Sequence, residues 1–169
     1  VGEGVNRTWI DRPVVINPSL DWGIDDRVQG PNYRILGLPD AGTYADYVKV
    51  PAVNLFHKPE ALTWNEAAAI PLGGLTAYRA LFTRAQVKAG ETVLVTGIGG
   101  GVATFALLFA VHAGARVVVT SSSDAKLTKA REHGAVAGVN YKADNWAKTA
   151  QALCGGGPDV IVDSAGRDA

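Results

Sequence analysis

The spacing of apolar residues changes character near Thr63. Upstream, short apolar runs are broken by Pro, Gly and Asp. Residues 13–17 (Pro-Val-Val-Ile-Asn) read as a short strand, residues 18–39 as a loop or a set of turns, and residues 54–59 as a further short β segment. Residues 42–50 alternate apolar and polar side chains and predict a strand. Downstream, Thr63 and Glu66 have the spacing of a capping box for a helix over 64–70. Pro71 and the pair Gly73-Gly74 punctuate it. Leu75, Tyr78, Leu81 and Phe82 then mark a second helix, over 75–84.

From Glu91 strands and helices alternate. The apolar run 91–96 enters the turn Gly97-Ile98-Gly99-Gly100-Gly101-Val102-Ala103 and leaves it as an apolar helix over 104–113. A β-branched strand over 116–120 follows. An amphipathic helix over 124–133 closed by Gly134, a strand over 136–141, a helix over 144–153 ended by three glycines and a strand over 158–163 complete the series. This order predicts an α/β fold with a doubly wound parallel sheet, about four of whose usual six strands are visible.

The stretch 91–120 is a strand, a glycine turn, a helix and a strand, the signature of a dinucleotide-binding βαβ unit. Glycines let the backbone approach a pyrophosphate with no Cβ in the way. The amides and the positive dipole end of the helix then face the phosphates. A simple turn that binds nothing does not need four glycines in five positions with a helix start behind them.

Composition narrows the partners. Sixteen Lys and Arg balance sixteen Asp and Glu in 169 residues. No basic block points to nucleic acid, and no like-charge tail suggests an interaction arm. No apolar run nears the roughly 20 residues that span a bilayer. The single cysteine, Cys154, excludes a disulfide within the chain and favours a cytoplasmic location. The chain has no methionine, opens in what reads as mid-domain and stops just past an apolar strand. It therefore reads as an internal piece of a longer protein.

Six segments in this order carry a family resemblance: 1–5 (Val-Gly-Glu-Gly-Val), 42–47, 67–72, 75–78, the glycine turn and 158–163. Together they resemble the medium-chain dehydrogenase/reductase superfamily, and within it the zinc-independent, quinone oxidoreductase-like branch. The resemblance implies a Rossmann dinucleotide-binding domain over 63–169, C-terminally incomplete. Before it comes the end of a β-rich, GroES-like catalytic domain over 1–62, with the active site in the cleft between the two. It implies a small-molecule substrate and a homo-oligomer in the full-length form. The superfamily's alcohol dehydrogenases carry G-x-G-x-x-G, whose first glycine would fall on Ile98. The quinone oxidoreductase form fits better, with Gly97, Gly100 and Ala103 as the spaced small residues.

The end of the second strand discriminates between nicotinamide cofactors. An NAD site places Asp or Glu there to hold the ribose 2′-hydroxyl. Here the strand ends in Thr120-Ser121-Ser122-Ser123, which offers hydroxyls and no charge. Lys126 follows, where its ammonium can meet a phosphate dianion. In the resembling family a Ser, a Lys at this offset and a Tyr in the next strand bind the 2′-phosphate; Ser121, Lys126 and Tyr141 hold those positions. The expected cofactor is NADPH rather than NADH. Its expected contacts are Gly97, Gly99, Gly100, Gly101, Val102, Ser121, Ser122, Lys126 and Tyr141, with Thr76 at the family position that touches the nicotinamide. Asp124 is the alternative carboxylate for an NAD ribose, against a simpler role at a helix N-terminus.

No zinc is expected. The family's structural site uses four cysteines in the stretch that here reads Ser19 to Asp26, which has none. Leu72 stands where the alcohol dehydrogenases place a cysteine ligand to the catalytic zinc. His57, His112 and His133 are scattered, the last two near helix ends where surface placement is usual. Asp21, Asp25 and Asp26 read as a solvated acidic cluster. Without a Lewis acid, hydride transfer suits a polarised acceptor, so the expected reaction is NADPH-dependent reduction of a quinone or an α,β-unsaturated carbonyl. No catalytic acid can be named among Tyr44, Tyr47 and Tyr78, and Cys154 reads as structural. The alternatives are a zinc-dependent alcohol dehydrogenase and a non-enzymatic NADPH-binding protein of this fold.

Overall fold

The computed structural model describes residues 1–164. The chain divides into two compact units, Val1–Leu72 and a second from Gly73 onward.

The first unit contains β1 (Val14–Ile16), β2 (Ser19–Leu20), β3 (Arg34–Ile35) and β4 (Leu55–His57). β1 pairs antiparallel with β4, with Val15 opposite Phe56, and β2 pairs antiparallel with β3. The β2–β3 ladder falls inside the stretch expected to be loop. Asn54 joins the two ladders: its buried amide donates to the carbonyls of Asn17 and Ser19 at 2.9 and 2.8 Å. Arg34, on β3, is held by the carboxylates of Asp21 and Asp40.

The strand expected over 42–50 does not form. Alternation makes a strand only where a ladder partner and a core receive it. Here Tyr44 and Tyr47 are exposed to solvent, and among the described residues no strand runs alongside them.

The expected capping box does form. The Thr63 amide and hydroxyl donate to the Glu66 carboxylate at 2.9 and 2.7 Å, and the Glu66 amide donates back to the Thr63 hydroxyl. These bonds hold the Glu66 carboxyl below its ordinary pKa. The helix they start, α1 (Trp64–Tyr78), does not stop at Pro71 or at Gly73-Gly74, where a break was expected. It continues to Tyr78 and widens into a π-helical turn over Arg79–Arg84. Pro71 removes one backbone donor but does not end the helix, because buried Ala77 and Leu81 beyond it anchor the chain. Gly73 is small for a packing reason: a Cβ there would lie 3.3 Å from the Phe105 ring.

The second unit holds β5 (Thr92–Val95), α2 (Gly101–His112), β6 (Arg116–Ser121), α3 (Asp124–Glu132), β7 (Ala137–Asn140), α4 (Trp146–Leu153) and β8 (Val160–Val162). The four strands are all parallel, in the order β7-β6-β5-β8. Strand side chains alternate between the two faces of the sheet. Val93, Val95, Val117 and Val119 point to one face, where Ala106 and Leu107 of α2 and Leu127 and Ala130 of α3 complete the core. Leu94, Val118 and Ala137 point to the other, with Cys154 just after α4. The sheet is therefore wound on both faces. β8 lies beside β5 rather than beside β7, so the strand order reverses between β5 and β8. In open α/β sheets that reversal marks the crevice where ligands bind, at the carboxyl ends of the strands. Among the described residues no helix is long and apolar enough to cross a membrane.

Candidate dinucleotide-binding site

The glycine turn sits at the carboxyl end of β5, beside that reversal. Its backbone is fixed from the neighbouring strand. The Gly97 amide donates to the Thr120 hydroxyl at 3.2 Å, and the Ile98 amide donates to the Thr120 carbonyl at 2.8 Å. Ile98 is buried beneath the turn, and Gly99 faces outward at φ +111°, in the left-handed region that favours glycine.

The helix behind the turn begins earlier than its apolar pattern suggests. Gly100 is the N-cap of α2 and Gly101 its first residue, with the Thr104 amide donating to the Gly100 carbonyl at 2.9 Å. Gly100 has no side chain to cap the first-turn amides, which lack partners within any helix. A Cβ on Gly101 would meet nothing within 4 Å. Bare amides at a helix N-terminus, with open space before them, fit a pyrophosphate. Val102 packs against the core, so its backbone rather than its side chain is available.

Lys126, on the first turns of α3, runs back across this turn. A Cβ built on Gly99 would lie 2.7 Å from Lys126 Cδ and 3.1 Å from its Nζ. The turn and Lys126 are therefore brought together. The hydroxyls at the end of β6 differ from one another. Ser121 is only 4% exposed, and its hydroxyl accepts from the Ser123 amide at 3.2 Å. Ser122 is half-buried and the more open of the two. The Tyr141 amide donates to the Ser121 carbonyl at 3.0 Å, which sets Tyr141 just past the end of the neighbouring strand. Asp124 is engaged elsewhere: the Asn140 amide donates to it at 2.9 Å. Thr76 lies exposed on α1.

Two residues at the strand ends were not singled out by the sequence reading. The Thr96 hydroxyl donates to the Asp163 carboxylate at 2.6 Å, and the Thr96 amide donates to the Val162 carbonyl at 3.1 Å. These bonds join β5 and β8 where the strand order reverses. The available signal was position alone, a Thr and an Asp each immediately following an apolar strand.

The remaining candidates lie apart from the turn. His57 stacks on Trp9 with ring centroids 4.7 Å apart. His112 and His133 are exposed at the ends of α2 and α3. Asp21 and Asp25 hold Arg34 and Arg27, and that pairing keeps the Asp25 carboxyl below its ordinary pKa. Cys154 is buried against the sheet, and burial pushes its thiol up while the charge of Arg116 opposes the shift. Among the described residues no three His, Cys, Asp or Glu side chains gather as a metal-binding group.

Known proteins agree with this architecture. The Zinc-binding dehydrogenase family profile matches residues 101–169. A zinc-type alcohol dehydrogenase-like protein (YogA) of Leptosphaeria maculans is 41% identical over 93% of this chain and 47% of its own length. A quinone oxidoreductase of Pseudomonas aeruginosa is 34% identical over 75% of this chain and 39% of its own. Among solved structures, an NAD-dependent alcohol dehydrogenase superposes with a TM-score of 0.84 at 43% identity, covering 90% of this chain and 47% of that one. The chain belongs to the medium-chain dehydrogenase/reductase superfamily. It spans about half the length of the first of these relatives.

Proposed function

We propose that the full-length protein is an NADPH-dependent oxidoreductase that passes hydride to a quinone or an α,β-unsaturated carbonyl without zinc. One observation carries the cofactor half of this reading. Lys126 lies over the phosphate-binding turn, beside a strand end that offers hydroxyls and no acid. Asp124, the one nearby candidate for an NAD-type carboxylate, is held by Asn140.

A bound nicotinamide supplies the hydride. The chain's own residues bind and orient. The first-turn amides of α2 and the backbone of Gly97, Gly99, Gly100, Gly101 and Val102 receive the pyrophosphate. Lys126, Ser122 and Tyr141 receive the 2′-phosphate, with Ser121 supporting that loop from below. Thr76 fixes the face of the ring. An acceptor already polarised by conjugation needs orientation more than acid catalysis. The test is a panel of quinones and enones reduced by the full-length, chelator-treated protein, followed by NADPH absorbance. Turnover supports the reading; intact NADPH binding with no turnover of any acceptor makes the protein a binder rather than an enzyme.

A second reading is a zinc-dependent alcohol dehydrogenase. The family description and the name of the Leptosphaeria relative favour it. Leu72 opposes it, since an apolar side chain stands at the position of a ligand cysteine. Stoichiometric zinc in the purified protein, with alcohol oxidation lost on chelation, would establish the second reading over the first.

A further inference from the structure

A cavity of about 290 Å³ opens beside the glycine turn, between α2 and α3. Its floor is Ile98, Leu107 and Ala130. Its polar rim is Lys126 and Lys129 on α3 and His133 at that helix's C-cap. Their spacing of three and four residues puts them on one face of the helix, a stripe about 10 Å long at 1.5 Å per residue. No acid lines the cavity. Among the described residues the side chains of Lys126, Lys129 and His133 have no hydrogen-bond or ion-pair partner. The Thr104 hydroxyl on the opposite wall donates to the Gly100 carbonyl at 2.9 Å.

We propose that this α2–α3 groove is an anion site for a diphosphate-type oxyanion, separate from the pyrophosphate cradle of the turn and sharing only Lys126 with the expected 2′-phosphate site. Length sets the ligand class. A single phosphate can meet one or two of the three side chains, whereas a linked pair of phosphates can bridge from Lys126 toward His133. Sharing Lys126 makes the two ligands compete. A diphosphate in the groove draws the lysine away from the dinucleotide, so it weakens NADPH binding and leaves NADH binding unchanged. The site itself stands whichever nicotinamide the protein prefers.

The probe is inorganic pyrophosphate, titrated into the full-length protein by calorimetry at constant ionic strength, with Lys126→Gln, Lys129→Gln and His133→Asn variants. Saturable binding is expected, weakened at least threefold by each variant. NADPH affinity is expected to fall only in Lys126→Gln. All three side chains are exposed on α3 or at its C-cap, and circular dichroism checks that each variant is folded. Absence of saturable pyrophosphate binding, or binding unchanged in Lys129→Gln and His133→Asn, would overturn the proposal. Pyrophosphate binding that follows these variants in a protein preferring NADH would keep the groove and sink the NADPH reading alone.

Discussion

Lys126 lies across Gly99 so closely that the glycine cannot acquire a side chain without moving it. The first methyl carbon would sit 2.7 Å from Lys126 Cδ. The obstacle is the far end of a flexible chain, so Gly99→Ala displaces the lysine rather than the fold. The left-handed backbone at φ +111° adds a strain of about 1–2 kcal/mol for a residue with a Cβ. Gly99→Ala is expected to lower stability by about that amount and to weaken NADPH more than NADH. Paired dissociation constants check this; equal weakening of both cofactors would show that Lys126 does not meet the 2′-phosphate.

The bond between Thr96 and Asp163 ties two strands where the order of the sheet reverses. It is 2.6 Å long and partly buried. Thr96→Val keeps the shape and removes the donor, leaving a carboxylate short of one partner. A loss of about 1.5 kcal/mol is expected, read as a lower urea midpoint at constant m. An unchanged midpoint would mean that water replaces the hydroxyl at no cost.

Gly134 ends α3 at φ +99°, and a Cβ on it would lie 2.7 Å from Val111 Cγ1. Gly134→Ala thus combines backbone strain with a clash, and a loss of at least 2 kcal/mol is expected. The double variant with Val111→Ala should relieve the clash and leave the strain. Identical unfolding midpoints for the single and double variants would show that the clash is absent.

The Cys154 thiol supplies a pH signature. Burial raises its pKa in the folded chain, while an unfolded cysteine titrates near about 8.5. Above that value the unfolded chain releases a proton that the folded chain still holds. Stability therefore falls as pH rises past the unfolded pKa, until the folded thiol titrates too. Other groups titrate in the same range, so the comparison is with Cys154→Ala, whose stability should fall less between pH 8 and 10. In the native state the thiol should resist iodoacetamide at neutral pH and react once urea is added.

Much of this was legible in the residues. The four parallel strands, the capping box at Thr63 and the glycine turn are local patterns, set by neighbours within a few positions. What failed was decided by distant partners. Residues 42–50 alternate correctly and find no ladder. Pro71 and Gly73-Gly74 have the look of a break, yet the helix persists because buried Ala77 and Leu81 anchor it, and Gly73 is small because Phe105 fills the space of a side chain there. The candidate site divides in the same way. The pairing of Lys126 with the turn follows from the local geometry of a βαβ unit, but the burial of Ser121 and the link from Thr96 to Asp163 depend on how strands 19 to 67 residues apart align.

The central claim is that Lys126 selects a phosphate on the adenosine ribose. The direct measurement is the ratio of NADH to NADPH dissociation constants for the full-length protein and its Lys126→Gln variant. The account predicts a wild-type preference for NADPH of at least about tenfold, some 1.4 kcal/mol, most of which disappears in Lys126→Gln while NADH affinity holds. A protein that binds NADH more tightly, or a ratio that survives the loss of the lysine, would contradict it.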